Sequence, residues 1–388
     1  PHPDPKGNHD TMSADINKRL RALDARRHGF DRSSVIFDSA SGFEARAHLS
    51  ETYQKRSSGY HTRYALGAMQ AVAASYTALS VAEAERVQAQ IATRLDRDGL
   101  SCTFRLQGSV PGNIHIRGVS DVDFLVLEQR FHHYDATGVL ALAGHYRNPY
   151  LPSAVDTLLD LRHRLEAALK DAYPAAEVDC TGAKAIRLSG GSLRREVDVV
   201  PASWNDTAEY QRTQSEDFRG VNILDKPARQ LIHNLPFLYL RRLRERDDET
   251  WGGLKKAIRL CKTLKADAIS DGKKVEISSY DIASALWNAA AGTLQAGIVK
   301  ELSILAATTD YFVYLVANPA YAKTLQTPDG SRRVFDTQVK LDAAAVLAQE
   351  LLELSRAVSE EHAPRTAHAS LQNDWLNTLK QTSVPVVD

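Results

Sequence analysis

Three aspartates in two hydrophobic stretches are the residues of this sequence with the clearest potential for chemistry. Asp121 and Asp123 are spaced i and i+2 in the run DVDFLVL, and Asp198 belongs to the later run EVDVVPAS. Because successive side chains of a β-strand point to opposite faces, Asp121 and Asp123 are expected to share one face of a sheet. If the strand of Asp198 lies alongside, three mutually repelling carboxylates meet there, and divalent cations would neutralise them. The pattern therefore predicts a two-metal phosphoryl-transfer site, with solvated surface acids as the alternative.

A glycine-serine pair precedes these acids. Gly108 and Ser109 follow a β-prone run from Cys102 to Leu106. At such a turn the exposed backbone N–H groups and the serine hydroxyl can bind a phosphate. An Asp-x-Asp pair alone is common on strand surfaces, whereas Gly-Ser, a spacer, Asp-x-Asp and a later strand acid form a specific combination. We therefore predict that Gly108 and Ser109 bind nucleotide.

The two stretches together resemble a known superfamily. QGSVPGNIHIRGVSDVDFLVL and EVDVVPAS are similar to the DNA polymerase β-like nucleotidyltransferases, and most similar to the bacterial CD-NTases. These are cyclic oligonucleotide synthases of antiphage systems, related to cyclic GMP-AMP synthase and oligoadenylate synthase. One departure is Gly112-Asn113, where many members carry Gly-Thr. The resemblance implies that Asp121, Asp123 and Asp198 are catalytic and hold two Mg²⁺ ions, for which Mn²⁺ can substitute.

A basic helix and a following serine pair lie in the second half of the chain. Lys255, Arg259 and Lys262 would share one face of a helix, which by itself indicates a solvated basic surface. Either Ser278 or Ser279 would then cap the N-terminus of the next helix.

In the family that the sequence resembles, this order of elements closes on the donor triphosphate. The resemblance implies that Lys262 contacts the terminal phosphates, that Ser279 adds a hydroxyl and that Tyr280 stacks on the donor base. A helix N-terminus with an ammonium group suits a polyphosphate, and a tyrosine ring can stack on any base. The alternatives to Lys262 are Lys255, Lys256 and Lys265.

The composition is that of an ordinary globular protein with no net charge. Lysine plus arginine and aspartate plus glutamate each number 48 in 388 residues. Because proteins that bind long nucleic acids are usually basic, no long nucleic-acid template is expected. Three widely separated cysteines (Cys102, Cys180 and Cys261) predict core packing in a reducing cytoplasm. No apolar stretch is long enough to span a membrane, so no membrane partner is expected.

Hydrophobic periodicity predicts strands in the first half and mainly helices in the second. Strands are expected near residues 102–107, 122–128, 177–188 and 194–200, with a hairpin turn at Gly190-Gly191. Helices are expected from Tyr60 to about Asp98, from Leu151 to Ala172, and within 226–300 and 340–362. The first of these helices could break near Ser80, where Ser80 and Glu83 match a helix-capping pattern.

These patterns indicate an α+β protein of two lobes. Residues 1–12 are interpreted as a tag or disordered leader, and residues 13–215 as N-terminal helices plus a nucleotidyltransferase core built on a mixed β-sheet. Residues 216–388 are interpreted as a helical C-terminal lobe. By resemblance, the long N-terminal helix is a spine that braces both lobes, with the active site in the cleft between them.

The predicted function is that of a Mg²⁺-dependent nucleotidyltransferase that joins nucleoside triphosphates, including ATP, into a short oligonucleotide second messenger in antiphage defence. The resemblance alone implies that the product is cyclic. A linear oligonucleotide synthase and a protein-modifying nucleotidyltransferase of the antitoxin type use the same acids and stay open as alternatives. No residue identifies the bases used or a regulatory protein partner.

Overall fold

The computed structural model describes residues 9–28, 52–147, 150–363 and 372–386, and the following statements concern these residues. Two compact units are present. The sheet unit consists of Ala73–His115 and Ser120–Arg244. The helical unit takes its described residues from Pro1–Val72, Ile116–Val119 and Glu245–Asp388. The bounds predicted for the lobes, 13–215 and 216–388, therefore differ from those of the two units.

The secondary structure is mixed, as expected for an α+β protein. The helices are α1 (His9–His28), α2 (Thr52–Lys55), α3 (Tyr60–Met69), α4 (Ala74–Arg97), α5 (Val139–Leu142), α6 (Ala154–Ala172), α7 (Ala208–Thr213), α8 (Pro236–Glu249), α9 (Gly253–Ser270), α10 (Ser279–Trp287), α11 (Ala291–Gln295), α12 (Leu302–Ala317), α13 (Pro319–Ala322), α14 (Gln338–His362) and α15 (Gln372–Gln381). The strands are β1 (Cys102–Gln107), β2 (Val122–Tyr134), β3 (Ala176–Asp179), β4 (Ile186–Gly190), β5 (Val197–Asp206), β6 (Gly220–Asp225) and β7 (Gln230–Asn234).

The seven strands form one mixed sheet in the sheet unit. Its order is β1-β2-β5-β4-β3, with β6 paired to β5 and β7 paired to β6. Strands β2 and β5 run parallel, and the other neighbours run antiparallel. Since parallel strands need a crossover connection, the segment containing α6 links β2 to β5. The expected mixed sheet is confirmed.

One face of this sheet is covered by α4 and α6. Val122 and Phe124 of β2 and Val197 and Val199 of β5 are buried there, packed with the leucines of α6. Each fully buried leucine stabilises the fold by about 1.5–3 kcal/mol. The opposite face carries a second apolar cluster that includes Leu125 and other residues of β2, β5 and β6. Since side chains alternate, Asp121 and Asp123 belong to the face of Leu125.

The helical unit is held together by buried ion pairs as well as apolar packing. Arg26 of α1 pairs with Asp267 of α9 at 2.5 Å, and the Tyr64 hydroxyl donates to the same aspartate at 2.6 Å. Arg19 reaches Glu350 of α14 at 2.6 Å. Removing one partner would leave a buried charge uncompensated, which is strongly destabilising. Helix α1 is thereby fixed to α9 and α14.

Several predicted elements have different bounds in the structure. The helix predicted from Tyr60 to Asp98 is broken at residues 70–73, and Ser80 is not a cap, because its hydroxyl donates to the Tyr76 carbonyl within α4. Part of the region predicted as helical, 226–300, forms strand β7, and residues 180–185 interrupt the strand predicted at 177–188.

The predicted N-terminal leader lies only partly within the described residues. Residues 1–8 of the predicted leader lie outside the described residues, and residues 9–12 begin α1.

In the described chain no single helix is both long and apolar enough to cross a membrane. Only α3 and α4 taken together, which bend by 42° at their break, meet that length and composition test.

Candidate active site

A row of polar residues crosses the sheet at the level of Asp123. The parallel register of β2 and β5 pairs Asp123 with Asp198. The antiparallel neighbours extend the row to Gln107 of β1 and to Arg187 of β4. Residues opposite one another in adjacent strands have neighbouring side chains on the same face. The expectation that the strand of Asp198 lies beside that of Asp123 is therefore confirmed.

Glu196 is a fourth acid beside this row. The same register places Val122 opposite Val197, so Glu196 lies next to Asp121, and the two side chains share a hydrogen bond. The Val122 N–H also donates to the Glu196 carbonyl at 3.2 Å. Glu196 and Asp198 have the same i, i+2 spacing as Asp121 and Asp123. That repeated acid-x-acid spacing was the signal in the sequence that could have identified Glu196.

The electrostatic consequence is clearest at Asp121. Burial and the negative charge of Asp198 raise the pKa of its carboxyl to about 6, with a further contribution from Glu196. The nearby Arg187 guanidinium opposes this rise. The pKa stays high in spite of that cation, because burial and the neighbouring acids together outweigh its effect.

A pH dependence of stability follows from Asp121. Without metal, the folded protein should hold the Asp121 proton up to about pH 6, whereas the unfolded chain releases it near its ordinary value of 3.8. The contribution of this group to folding stability is therefore full below pH 4 and is lost as the pH rises to 6. Urea unfolding in EDTA should show the parent losing stability relative to Asp121→Asn over this interval. A difference between the two proteins that does not change with pH would contradict the prediction.

Arg187 lies among the acids. Its Nε donates to Asp198 Oδ1 at 3.0 Å and its Nη2 to Asp198 Oδ2 at 3.3 Å. The same Nη2 is 3.2 Å from Asp121 Oδ2. The arginine side chain is 52% exposed, whereas that of Asp198 is 13% exposed. Arg187 was not predicted from the sequence, because an arginine on an alternating strand reads as an ordinary solvent-facing residue.

The donor groups of this row fit a divalent cation. Carboxylate oxygens are the protein ligands that Mg²⁺ prefers, and the acids Asp198 and Glu196 help to raise the pKa of Asp121, as expected where carboxylates lie close together. In the side-chain arrangement of the described residues, however, no group of three or more His, Cys, Asp or Glu residues is placed to hold a metal ion. The Arg187 guanidinium contacts two of the acids instead.

The glycine-serine turn lies directly against Asp123. Gly108 has a positive φ of 77°, and a Cβ added to it would lie 2.4 Å from Asp123 Oδ2. The Ile114 N–H donates to the Ser109 carbonyl at 3.0 Å, which closes the loop. The Ser109 hydroxyl makes no hydrogen bond to another described residue. The turn therefore brings backbone and a hydroxyl to the acids, as a phosphate-binding turn requires.

The other predicted nucleotide-binding residues belong to the helical unit. Arg259 and Lys262 of α9 are only 4% and 5% exposed, and the Arg259 guanidinium donates to the Met69 carbonyl at 2.8 Å. The interpretation of this helix face as a solvated basic surface is therefore wrong. The pattern misled because the tertiary fold buries these two side chains, which the helix sequence alone does not encode.

The four candidate lysines of α9 have different surroundings. Three of them contact groups of the helical unit, namely Lys255 with Asp247 at 3.0 Å, Lys256 with Glu301 at 2.7 Å and Lys265 with the Ile277 carbonyl at 2.5 Å. Burial also lowers the pKa of Lys265. The Lys265 contact ties α9 to the residues just before α10. These three lysines therefore have clear structural roles.

Ser278, rather than Ser279, is the N-cap of α10. Its Oγ accepts from the Asp281 N–H at 3.0 Å. Ser279 is the first residue of the helix, and its hydroxyl makes no hydrogen bond within the described chain. A serine cap stabilises a helix by about 1 kcal/mol. Because Ser278 supplies the cap, Ser279 is not needed for it.

Tyr280 packs against a charged neighbour. The Arg332 guanidinium lies 5.2 Å from the centroid of its ring and pairs with Asp281 at 2.7 Å. The phenol hydrogen-bonds to Thr327 and Asp329, and burial raises its pKa above the ordinary value. The hydrogen bonds of the hydroxyl therefore fix the orientation of the Tyr280 ring on which a base would stack.

Comparison with known proteins identifies the family. Residues 241–354 match the cGAS/DncV-like nucleotidyltransferase C-terminal helical domain. A cyclic dinucleotide synthase CdnE of Yersinia aleksiciae is 43% identical over 290 residues, which is 74% of each chain. This chain belongs to the CD-NTase family and is a nucleotidyltransferase. Enzymes of this family generally use divalent metal ions.

Solved structures show the same fold. A STING-associated CdnE c-di-GMP synthase of Capnocytophaga granulosa superimposes with a TM-score of 0.66 at 25% identity, covering 89% of this chain and 99% of that one. A CdnE c-UMP-AMP synthase of Rhodothermus marinus, solved with Apcpp and Upnpp, gives a TM-score of 0.53 at 19% identity, covering 74% of this chain and 94% of that one. The predicted nucleotidyltransferase fold is confirmed.

Proposed function

We propose that this protein joins two nucleoside triphosphates into a cyclic dinucleotide, with Asp121, Asp123 and Asp198 as its catalytic carboxylates. The observation that carries the proposal is the parallel register of β2 and β5, which sets Asp123 beside Asp198 with Asp121 next to them. The names of the relatives support a cyclic product, because they include a cyclic dinucleotide synthase and a c-di-GMP synthase. A role in antiphage defence is part of the proposal.

The three aspartates would hold two Mg²⁺ ions, or Mn²⁺ in their place. When bound, such ions lower the pKa of the acceptor ribose hydroxyl and neutralise the leaving pyrophosphate. Arg187 contacts both Asp121 and Asp198, and the Asp198 side chain is the less exposed of these two. Asp198 would accept or relay the proton of the acceptor hydroxyl. Positioning and charge stabilisation supply most of the rate enhancement in such transfers.

The glycine-serine turn binds the donor phosphates in this proposal. The backbone of Gly108 and the hydroxyl of Ser109 would donate hydrogen bonds to phosphate oxygens, since no other described residue uses that hydroxyl. The close approach of Gly108 to Asp123 places these donors beside the metal-binding carboxylates. Binding and charge neutralisation would then act on the same triphosphate.

The helical unit supplies the remaining nucleotide contacts. Lys262 would bind the terminal phosphates, as the family's order of a lysine-bearing helix followed by Ser279 and Tyr280 implies. Ser279 would add its hydroxyl, and Tyr280 would stack on the donor base. Three cysteines without a disulfide support a cytoplasmic location.

Substitutions at Tyr280 separate stacking from structural packing. Tyr280→Ala should weaken nucleotide binding by about 1–3 kcal/mol, because a base-stacking surface is lost. Tyr280→Phe keeps that surface and removes only the hydroxyl contacts with Thr327 and Asp329, so it should bind nucleotide like the parent. Isothermal titration with nonhydrolysable nucleoside triphosphate analogues would measure both. Equal losses in the two variants would show that the hydroxyl contacts, rather than stacking, matter.

The reaction product tests the proposed function directly. The protein would be incubated with each labelled nucleoside triphosphate, alone and in pairs, with Mg²⁺ or Mn²⁺ and then with phosphatase. A cyclic dinucleotide has no terminal phosphate, so its label should survive and migrate as a dinucleotide. Label attached to protein, or a phosphatase-sensitive ladder of increasing length, would overturn the proposal in favour of a modifier or a linear synthase.

A further inference from the structure

Arg187 contacts two of the proposed metal ligands at once. Its Nε and Nη2 each donate a hydrogen bond to one carboxylate oxygen of Asp198, and the same Nη2 also contacts the Asp121 carboxylate. Arginine is always charged, and paired N–H···O bonds of this kind are among the stronger hydrogen bonds in proteins. Its side chain therefore neutralises and fixes the two carboxylates.

The carboxylate oxygens of Asp121 and Asp198 that contact Arg187 cannot keep these contacts while they coordinate a metal ion. Mg²⁺ requires oxygen ligands at about 2.0–2.1 Å in near-octahedral geometry. An ion between Asp121 and Asp198 would lie where the guanidinium lies now, and two positive charges so close would repel each other. The absence of a ready metal geometry among the described acids agrees with this competition.

A further carboxylate, that of Asp179, lies on the other side of Arg187 in the sheet. Asp179 of β3 is the cross-strand partner of Arg187, as Asp198 is on the opposite side. Its Oδ1 accepts from the Thr181 N–H and hydroxyl, and Arg187 lowers the pKa of Asp179 in addition to these bonds. About half of the Arg187 side chain is exposed, so the fold does not enclose it completely.

We propose that Arg187 is a positioning residue that holds Asp121 and Asp198 together in the metal-free protein and turns towards Asp179 when a divalent ion binds. This inference rests on the proposed function of the acids. Arg187 prevents mutual repulsion of the carboxylates from spreading the site, and it competes with the metal. The metal affinity of the enzyme is therefore set partly by an arginine that is not a ligand.

Manganese binding without nucleotide tests this role independently of catalysis. Free Mn²⁺ would be measured by electron paramagnetic resonance for the parent, for Arg187→Gln and for the control Arg229→Gln. Arg229 is an exposed arginine of the sheet unit that pairs with Asp156 at 2.7 Å. Arg187→Gln should bind Mn²⁺ roughly tenfold more tightly, equivalent to about 1.4 kcal/mol, and should melt at a lower temperature in EDTA. The control should match the parent in affinity.

A double-mutant cycle with Asp179 tests the second position of the arginine. Asp179→Asn should weaken Mn²⁺ binding in the parent, because Arg187 then loses its alternative partner. In the Arg187→Gln background the same change should have little effect. An equal effect in both backgrounds would show only a general charge effect and would overturn the proposed movement.

The outcomes separate this inference from the proposed function. Binding of Mn²⁺ by the parent, but not by a variant lacking the Asp121 and Asp123 carboxylates, would support the metal site. If Arg187→Gln then binds Mn²⁺ no more tightly than the parent, only the role of Arg187 is overturned. If the parent fails to bind Mn²⁺, or binds it equally without those carboxylates, the metal site itself is wrong and both proposals fall.

Discussion

The double variant Asp121→Asn, Asp123→Asn is expected to lose nucleotide joining almost completely while keeping its fold. Asparagine has the size of aspartate but lacks the charge that holds divalent ions. We expect turnover to fall by at least about 1000-fold, the scale observed when a group that stabilises transition-state charge is removed. Product formation from labelled nucleoside triphosphates would measure the loss. Circular dichroism and thermal melting would verify that the variant is folded.

A matched control separates the site from general loss of negative charge. Asp156 and Asp160 lie on α6 of the same unit, and their side chains are 63% and 50% exposed. Replacing this pair by asparagine removes the same charge from the surface and should leave turnover within about twofold of the parent, because exposed ion pairs contribute little. Substantial activity in the folded Asp121, Asp123 variant would refute the assignment of these acids.

The variant Gly108→Ala should lose activity through a single added methyl group. The positive φ of Gly108 makes any side chain costly by about 1–2 kcal/mol, and the new Cβ would stand 2.4 Å from Asp123 Oδ2. Either the turn or the Asp123 carboxylate must move. Since displacements of about 1 Å at a reacting centre can cost about 100-fold in rate, turnover should fall by that order.

Gly99 provides the comparison for this glycine. It follows α4, also has a positive φ, of 69°, and has no atom within 4 Å of an added Cβ. Gly99→Ala should therefore show the conformational cost without the contact. Thermal melting should reveal a smaller destabilisation in Gly99→Ala than in Gly108→Ala, with lost turnover only in Gly108→Ala. Equal turnover in both would mean that the contact with Asp123 has no functional importance.

The sheet and its acids could be predicted because strand periodicity encodes them locally. Asp121 and Asp123 alternate with buried residues such as Phe124, and this alternation fixes their common face whatever the rest of the chain does. Leu158 and the other leucines of α6 follow the helical repeat that faces the sheet. In both cases the residue spacing itself contains the required geometry.

Contacts between distant strands could not be predicted in the same way. The approach of Arg187 to Asp198 and of Glu196 to Asp121 depends on the strand order and register. Strand β6 was not predicted, and strand β7 was missed because its residues belong to the region 226–300 that was interpreted as helical. The basic face of α9 was misread because the burial of Arg259 and Lys262 is a property of the tertiary fold that the residue spacing within the helix does not contain.

The parallel pairing of β2 with β5 also has a consequence for folding. Asp123 and Asp198 meet only when the long connection that contains α6 has closed, because parallel strands pair across such a crossover. Partly folded chains with β1 and β2 alone can gather Asp121 and Asp123 but lack the third carboxylate. If the proposed site is correct, divalent-ion binding would report chain closure, and it should arise in refolding together with the slow non-local sheet pairing rather than with helix formation.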